Sequence, residues 1–141
     1  MLIDANILLY AVISDYPQHS QAKTWFEQQL NGPKRVALPW QNLLAFVRIS
    51  TSIKLFSQPL SISNAWHYVE SWINLPTVWV PQAQIKHADI LCNLLLKNNI
   101  SGNLVNDTHL AALAIEHGLT LYSCDRDFAR FEDLNWVNPI G

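Results

Sequence analysis

The sequence predicts an α/β fold: a central parallel sheet with helices packed on both faces. Three observations carry this. Short apolar runs alternate with segments of helical periodicity along the chain, the pattern of strand–helix–strand units. The runs are apolar enough to be buried on both faces, as parallel strands are. Half of the residues are apolar, enough for a core and too many for a disordered chain.

Taken in order, Met1–Asp4 is a short apolar run ending in an acid and reads as a buried strand. Pro17–Leu30 reads as a helix, because Ala22, Trp25, Phe26 and Leu30 recur at helical spacing, and Asn31-Gly32-Pro33 stops it. Arg35–Leu38 is a second strand. Pro39 suits a first helical turn, and Leu43, Leu44, Phe46, Val47 and Ile49 continue that helix. After a break at Gln58-Pro59, Ser61 or Ser63 can cap a helix carrying Trp66, Val69, Trp72 and Ile73. Thr77–Val80, between two prolines, is a third strand. Ile85–Leu96 is helical, and Ser101-Gly102-Asn103 breaks it. Thr108–His117 is the clearest helix, with Gly118 suited to its C′ position. Leu119–Ser123 is a fourth strand and Trp136-Val137 a fifth.

With 141 residues, no internal repeat and no linker, residues 1–141 read as one domain. Charged residues are 14% of the chain, well under the roughly 25% of ordinary soluble domains. Six Trp, five Phe and four Tyr add large apolar surfaces. In so small a domain part of that surface lies outside the core, so a partner or a second copy is expected to cover it.

The net charge of −2 excludes a global basic field, but the charges are unevenly placed. Lys34, Arg35, Arg48 and Lys54 fall in an acid-free stretch between Glu27 and Glu70. Asp107, Glu116, Asp125, Asp127, Glu132 and Asp133 crowd the C-terminal part against only Arg126 and Arg130. This asymmetry suits an acidic metal site beside a cationic phosphate track. Cys92 and Cys124 are too few for a disulfide framework. No signal-peptide pattern opens the chain, and the early apolar run Ile7–Ile13 is too short to span a bilayer. A cytoplasmic location away from membranes is expected.

Parallel sheets bind ligands at the carboxyl ends of their strands. Asp4 and Asp125 each follow a predicted strand, and Asp107 stands at the start of the clearest helix. Each can be a cap or turn residue. If the first and fourth strands are neighbours, however, the carboxylates converge and repel one another unless a cation neutralises them. Hard oxygen ligands select Mg²⁺ or Mn²⁺. Such an ion holds phosphate oxygens and activates water.

Three segments carry a resemblance to a known family. They are Leu2–Tyr10, with Asp4 and Asn6; Asn106–Ala114, with Asp107; and Gly118–Phe128, with Ser123, Asp125 and Asp127. In order and spacing the chain resembles PIN-domain ribonucleases, in particular VapC-type toxins of toxin–antitoxin pairs. The resemblance implies an α/β/α sandwich and divalent-metal-dependent cleavage of RNA. It implies that Asp4, Asp107 and Asp125 are catalytic and metal-binding, supported by Asn6, Ser123 and Asp127. It also implies a cognate antitoxin and a homodimer. The family's usual fourth acid is absent: Phe46, within Ala45–Arg48, stands where the Glu is expected. Phe46→Glu is then expected to tighten metal binding if that side chain faces the crevice. Gln41 and Asn42 are neutral oxygen donors nearby.

Arg48 and Lys54, with Lys34 and Arg35 behind them, are candidate contacts to RNA phosphates. None of the five histidines has zinc-helix spacing; His109, two residues past Asp107, is the one placed near substrate. Two other functions fit parts of the sequence. An aspartyl-phosphate phosphatase suits a strand-end Asp4, although Asn6 stands where its second acid belongs. A non-catalytic interaction module of the same fold suits Phe46 and the low charge.

Overall fold

A computed structural model describes residues 1–141. Its five strands are β1 (Leu2–Ile3), β2 (Val36–Ala37), β3 (Val78–Trp79), β4 (Leu121–Tyr122) and β5 (Trp136–Val137). All neighbours pair in parallel, in the order β3-β2-β1-β4-β5. Helices α1 (Ala5–Val12) and α2 (His19–Leu30) join β1 to β2, and α3 (Trp40–Ser50) and α4 (Ile62–Ile73) join β2 to β3. Helices α5 (His87–Lys97) and α6 (Leu104–Glu116) cross back to β4, and a 3-10 helix (Arg126–Arg130) leads to β5.

Each strand is two residues long and sends one side chain to each face. Ile3, Val36 and Val78 pack under α1 to α4 with Leu8, Phe26, Leu43 and Trp72. Leu2, Ala37 and Leu121 pack on the other face with Leu94, Leu110, Leu113 and Phe128. Handedness decides which helices go where. Crossovers between parallel strands are right-handed, and the chain moves outward from β1 to β3, then returns past β1 to β4. The reversal places α5 and α6 on the opposite face. The result is the three-layer α/β/α sandwich that the alternating pattern predicted.

Three elements differ from the sequence expectation. Helix α1 was not anticipated, because Ala5–Val12 is nearly all apolar and shows no helical stripe. Asp4 starts it, its Oδ1 accepting the Ala5 N–H at 2.7 Å. Helix α6 begins one turn early, at Leu104, because Asn106 and Asp107 are weak helix formers that hide the first turn. Helix α5 ends at Lys97, with Asn99 left-handed at φ 50°, so the break precedes Gly102. Ile100 N–H bonds back to Leu95 O at 3.0 Å there. Gly118, at φ 65°, closes α6 in the same way as expected, with Leu119 N–H on Ala114 O at 2.8 Å.

Phe46 does not face the crevice. It is fully buried, its ring 4.9 Å from that of Trp72 and 6.2 Å from that of Tyr68. The expectation that Phe46→Glu adds a metal ligand is therefore corrected: the substitution buries a carboxylate among aromatic rings. Denaturant unfolding should show Phe46→Ala losing about 3–5 kcal/mol and Phe46→Glu losing at least as much. Ala45→Glu, on the crevice side of the same helix, should leave the protein folded.

Candidate metal centre

The strand order creates the site. β1 lies between β2 and β4, so connections leave β1 and β4 in opposite senses and a crevice opens at their carboxyl ends. Leu2 pairs with Leu121 and Ile3 with Tyr122. The residues that follow, Asp4 and Ser123 to Asp125, therefore emerge side by side. Asp4 N–H continues the ladder by donating to Tyr122 O at 3.0 Å.

Asp4 is the anchored acid. Its Oδ2 accepts the Ser123 hydroxyl at 2.8 Å and the Asn6 amide at 3.4 Å. Asn6 also donates to Ser123 Oγ at 3.1 Å, and its Oδ1 accepts Cys124 N–H at 3.4 Å. Ser123 Oγ in turn accepts Asp125 N–H at 3.0 Å. Asn6 and Ser123 thus tie β1 to β4 and fix the spacing between Asp4 and Asp125. Burial pushes the Asp4 carboxyl above the usual range; the bonds from Ser123 and Ala5 oppose this, and Asp125 adds to it.

The converging acids are Asp107, Asp125 and Asp127. One carboxylate oxygen of each lies within 4.8 Å of the other two. Asp107 comes from the first turn of α6, Asp125 caps the 3-10 helix by accepting Asp127 N–H at 2.9 Å, and Asp127 follows within that helix. Asp127 therefore stands level with Asp107 and Asp125, where sequence reading made it a support. The cluster has an electrostatic signature. Burial, then repulsion from Asp125, Asp4 and Asp127, raises Asp107 to about 6, while Arg130 acts the other way. Arg130 is bound to Asp127, with Nε on the Asp127 carbonyl at 3.0 Å and a guanidinium nitrogen 3.5 Å from Oδ1.

The donor set fits a hard dication: oxygen ligands alone, in a cluster whose mutual repulsion a cation relieves. Beside it lies a crevice of about 680 Å³ lined by Asp4, Asn42, Ala45, Arg48, Asn106 and Asp107, among others. Arg48 is the only cation among its lining residues. Gln41 and Asn42 also line it. The Asn42 amide nitrogen donates to Ile3 O at 2.8 Å, which locks α3 against the end of β1. Asn106 was missed by sequence reading, although its place beside Asp107 was the available signal. Lys54 lies outside the crevice on the exposed loop after α3. Lys34 and Arg35 precede β2 and so lie at the opposite end of the sheet, where Arg35 covers the Trp79 ring at 5.0 Å.

The chain is similar to known proteins over nearly its whole length. A family model described as PIN domain matches residues 1–134. The chain is 42% identical over 138 residues to Ribonuclease VapC37 of Mycobacterium tuberculosis, covering 98% of this chain and 96% of that one. It is 41% identical over 137 residues to Ribonuclease VapC33 of the same organism, covering 97% and 96%. Two solved structures share the fold. VapBC2 from Rickettsia felis bound to a promoter DNA fragment matches with TM-score 0.68 at 18% identity, covering 97% of this chain and 96% of that one. A toxin–antitoxin complex from Klebsiella pneumoniae matches with TM-score 0.63 at 19% identity, covering 98% and 96%.

The crowded acids make a stability prediction for the metal-free protein. Asp107 titrates near 6 when folded, above its ordinary 3.8. Between these values the folded state holds the extra proton, so stability rises as pH falls through 6 and declines as pH rises through it. At pH 7.5 with chelator, Asp107→Asn should stabilise the fold by about 1 kcal/mol, the full shift being discounted for solvent screening. Thermal unfolding at pH 5 and 7.5 should show a weaker pH dependence in the variant than in the wild type.

Proposed function

The chain belongs to the PIN-domain family, and from that premise we propose that it is a divalent-metal-dependent endoribonuclease, the toxin of a toxin–antitoxin pair. The observation that carries this reading is the convergence of Asp107, Asp125 and Asp127 beside a crevice whose lining cation is Arg48. Its full-length relatives named as ribonucleases support RNA as the substrate.

We assign the metal-holding role to Asp107, Asp125 and Asp127, with Asp4 behind them as a further acid, and Mg²⁺ or Mn²⁺ as the ion. When bound, such an ion neutralises charge on the phosphoryl group and lowers the pKa of water. The chain's own residues do the rest. Ser123 and Asn6 hold Asp4 and Asp125 at fixed spacing. Arg48 steadies the phosphate in the crevice, and Lys54 is a second, outer phosphate contact. Arg130 screens Asp127 from its neighbours. An aspartyl nucleophile is disfavoured because both Asp4 oxygens are engaged, Oδ1 by Ala5 and Oδ2 by Ser123.

The antitoxin has an apolar seat available. A cleft of about 450 Å³ lies between α1, α2 and α4, lined by Val12, Phe26, Leu30, Trp72 and Leu75 among others. Leu44, Ile53, Leu55 and Ile62 are exposed, and we propose that a second copy covers part of this surface in a homodimer. No helix is long and apolar enough to cross a membrane, and we place the protein in the cytoplasm, where RNA and antitoxin are found.

Purified protein should cleave RNA with Mg²⁺ or Mn²⁺ and stop when a chelator is added. Asp107→Asn and Asp125→Asn should each lower the rate by on the order of a hundredfold or more while remaining folded. Undiminished cleavage in both variants would remove these acids from the reaction. Arg48→Gln should flatten the salt dependence of RNA affinity by about one unit in the log–log slope; an unchanged slope would make Arg48 an ordinary surface charge.

A further inference from the structure

We propose that a pocket beside the crevice reads one nucleobase next to the cleaved bond, with Trp40 as its stacking surface and the free Nε2 of His109 as its hydrogen-bond acceptor. The proposal rests on the ribonuclease reading and adds which part of the RNA is recognised.

The pocket lies where the start of α3, the loop after β3 and α6 meet. It holds about 240 Å³ and is lined by Trp40, Gln41, Pro81, His109 and Leu113, among others. That is below the roughly 300 Å³ at which pockets for larger ligands begin, so it suits one planar ring system. Gln41 lines both this pocket and the acidic crevice. His109 and Asp107 are two residues apart on α6 and so face different sides of it, His109 lining the pocket and Asp107 the crevice. The two cavities thus adjoin across the Gln41 side chain, and a nucleotide next to the phosphate in the crevice is the part of the strand that the pocket faces.

Trp40 is 41% exposed and backed by Trp66, whose ring is nearly parallel at 8° with centroids 6.3 Å apart. A supported, partly open indole is what a base stacks on.

His109 is polarised by a chain of buried partners. Glu116 Oε1 accepts the Gln84 N–H at 2.8 Å. Its Oε2 lies 3.0 Å from His87 Nδ1, which donates to it. In the neutral imidazole this leaves His87 Nε2 as an acceptor. His109 Nδ1, 2.8 Å away, supplies the proton. His109 Nε2 is then a lone-pair acceptor with no protein partner, on a ring that lines the pocket. A base presenting an amino group complements it. Glu116 and His87 are positioning residues; His109 and Trp40 touch the base.

The chain also specifies how to invert the preference. In Glu116→Gln, the Gln84 N–H still requires an oxygen, so the new amide turns its NH₂ toward His87 Nδ1. Every donor and acceptor down the chain then reverses, and His109 Nε2 presents N–H.

The test is cleavage of short RNA oligonucleotides differing at single positions beside the cut. Wild type should favour adenine or cytosine over uracil at one position by about three- to tenfold, the worth of one hydrogen bond. His109→Phe should even out the rates, and Glu116→Gln should shift preference toward uracil. A merely structural clamp would change overall rate or stability without moving base preference, and that result overturns the proposal. If wild type cleaves none of the set, the ribonuclease reading fails. Affinity for the same oligonucleotides under chelator then decides: a base preference sustains the pocket and equal affinities overturn it. Should the variants fail to fold, ¹⁵N NMR of wild-type imidazoles gives the answer. His109 protonated at Nδ1, with an Nε2 signal that moves on adding an adenine-containing oligonucleotide, supports the assignment. An Nε2 that is protonated or unmoved refutes it.

Discussion

The pairing of β1 with β4 is the constraint from which the rest of the molecule follows. It consists of two residue pairs, Leu2 with Leu121 and Ile3 with Tyr122. It lies at the point where the chain reverses its direction of growth across the sheet. Four carboxylates from distant parts of the sequence are neighbours because of it. The hydrogen bonds that follow it, from Ser123 to Asp4 and from Asp125 N–H to Ser123, extend the ladder into the site with side chains in place of backbone.

Strands this short cannot supply much stability from their own ladder. Their side chains are the pivot of two cores instead, and that makes the acidic cluster tolerable. Asp107 sits on α6, whose Leu110, Ala111, Leu113 and Ala114 are buried against the sheet. Asp125 and Asp127 sit beside Phe128, which is buried in the same cluster. Apolar burial thus holds like charges closer than they would settle if free. Burial first, and then this crowding, raise the proton affinity of Asp107 to about 6, and Arg130 offsets part of the rise.

Much of this was legible in the sequence because the relevant signals are local. Each strand lies within an apolar run next to turn chemistry, and the acids at strand ends stand out against apolar neighbours. The resemblance implied order and roles for Asp4, Asp107 and Asp125 and made Asp127 a support, while the place of Asp127 depends on how a 3-10 turn folds back. Helix facing was the main thing hidden. Phe46 and Ala45 are adjacent in sequence, yet one enters the core and the other the crevice, and only the packing of α3 on α4 decides which. Helix α1 was hidden for a different reason, since an unbroken apolar segment carries no periodicity. The chain from Glu116 through His87 to His109 joins residues of two helices, so no spacing announces it.

The distance in sequence between the two halves of the site has a consequence during synthesis. Asp4 directly follows the central strand, while Asp125 and Asp127 follow a strand that begins at Leu121. A ribosome adds about 5–20 residues per second, so the first acid waits several seconds for its companions. During that time β1 has only β2 to pair with, and closing the long loop to β4 is among the last steps open to the chain. A fragment stopped anywhere before β4 carries no assembled centre. An enzyme that attacks RNA is thereby kept inert until β4 has been made and paired with β1.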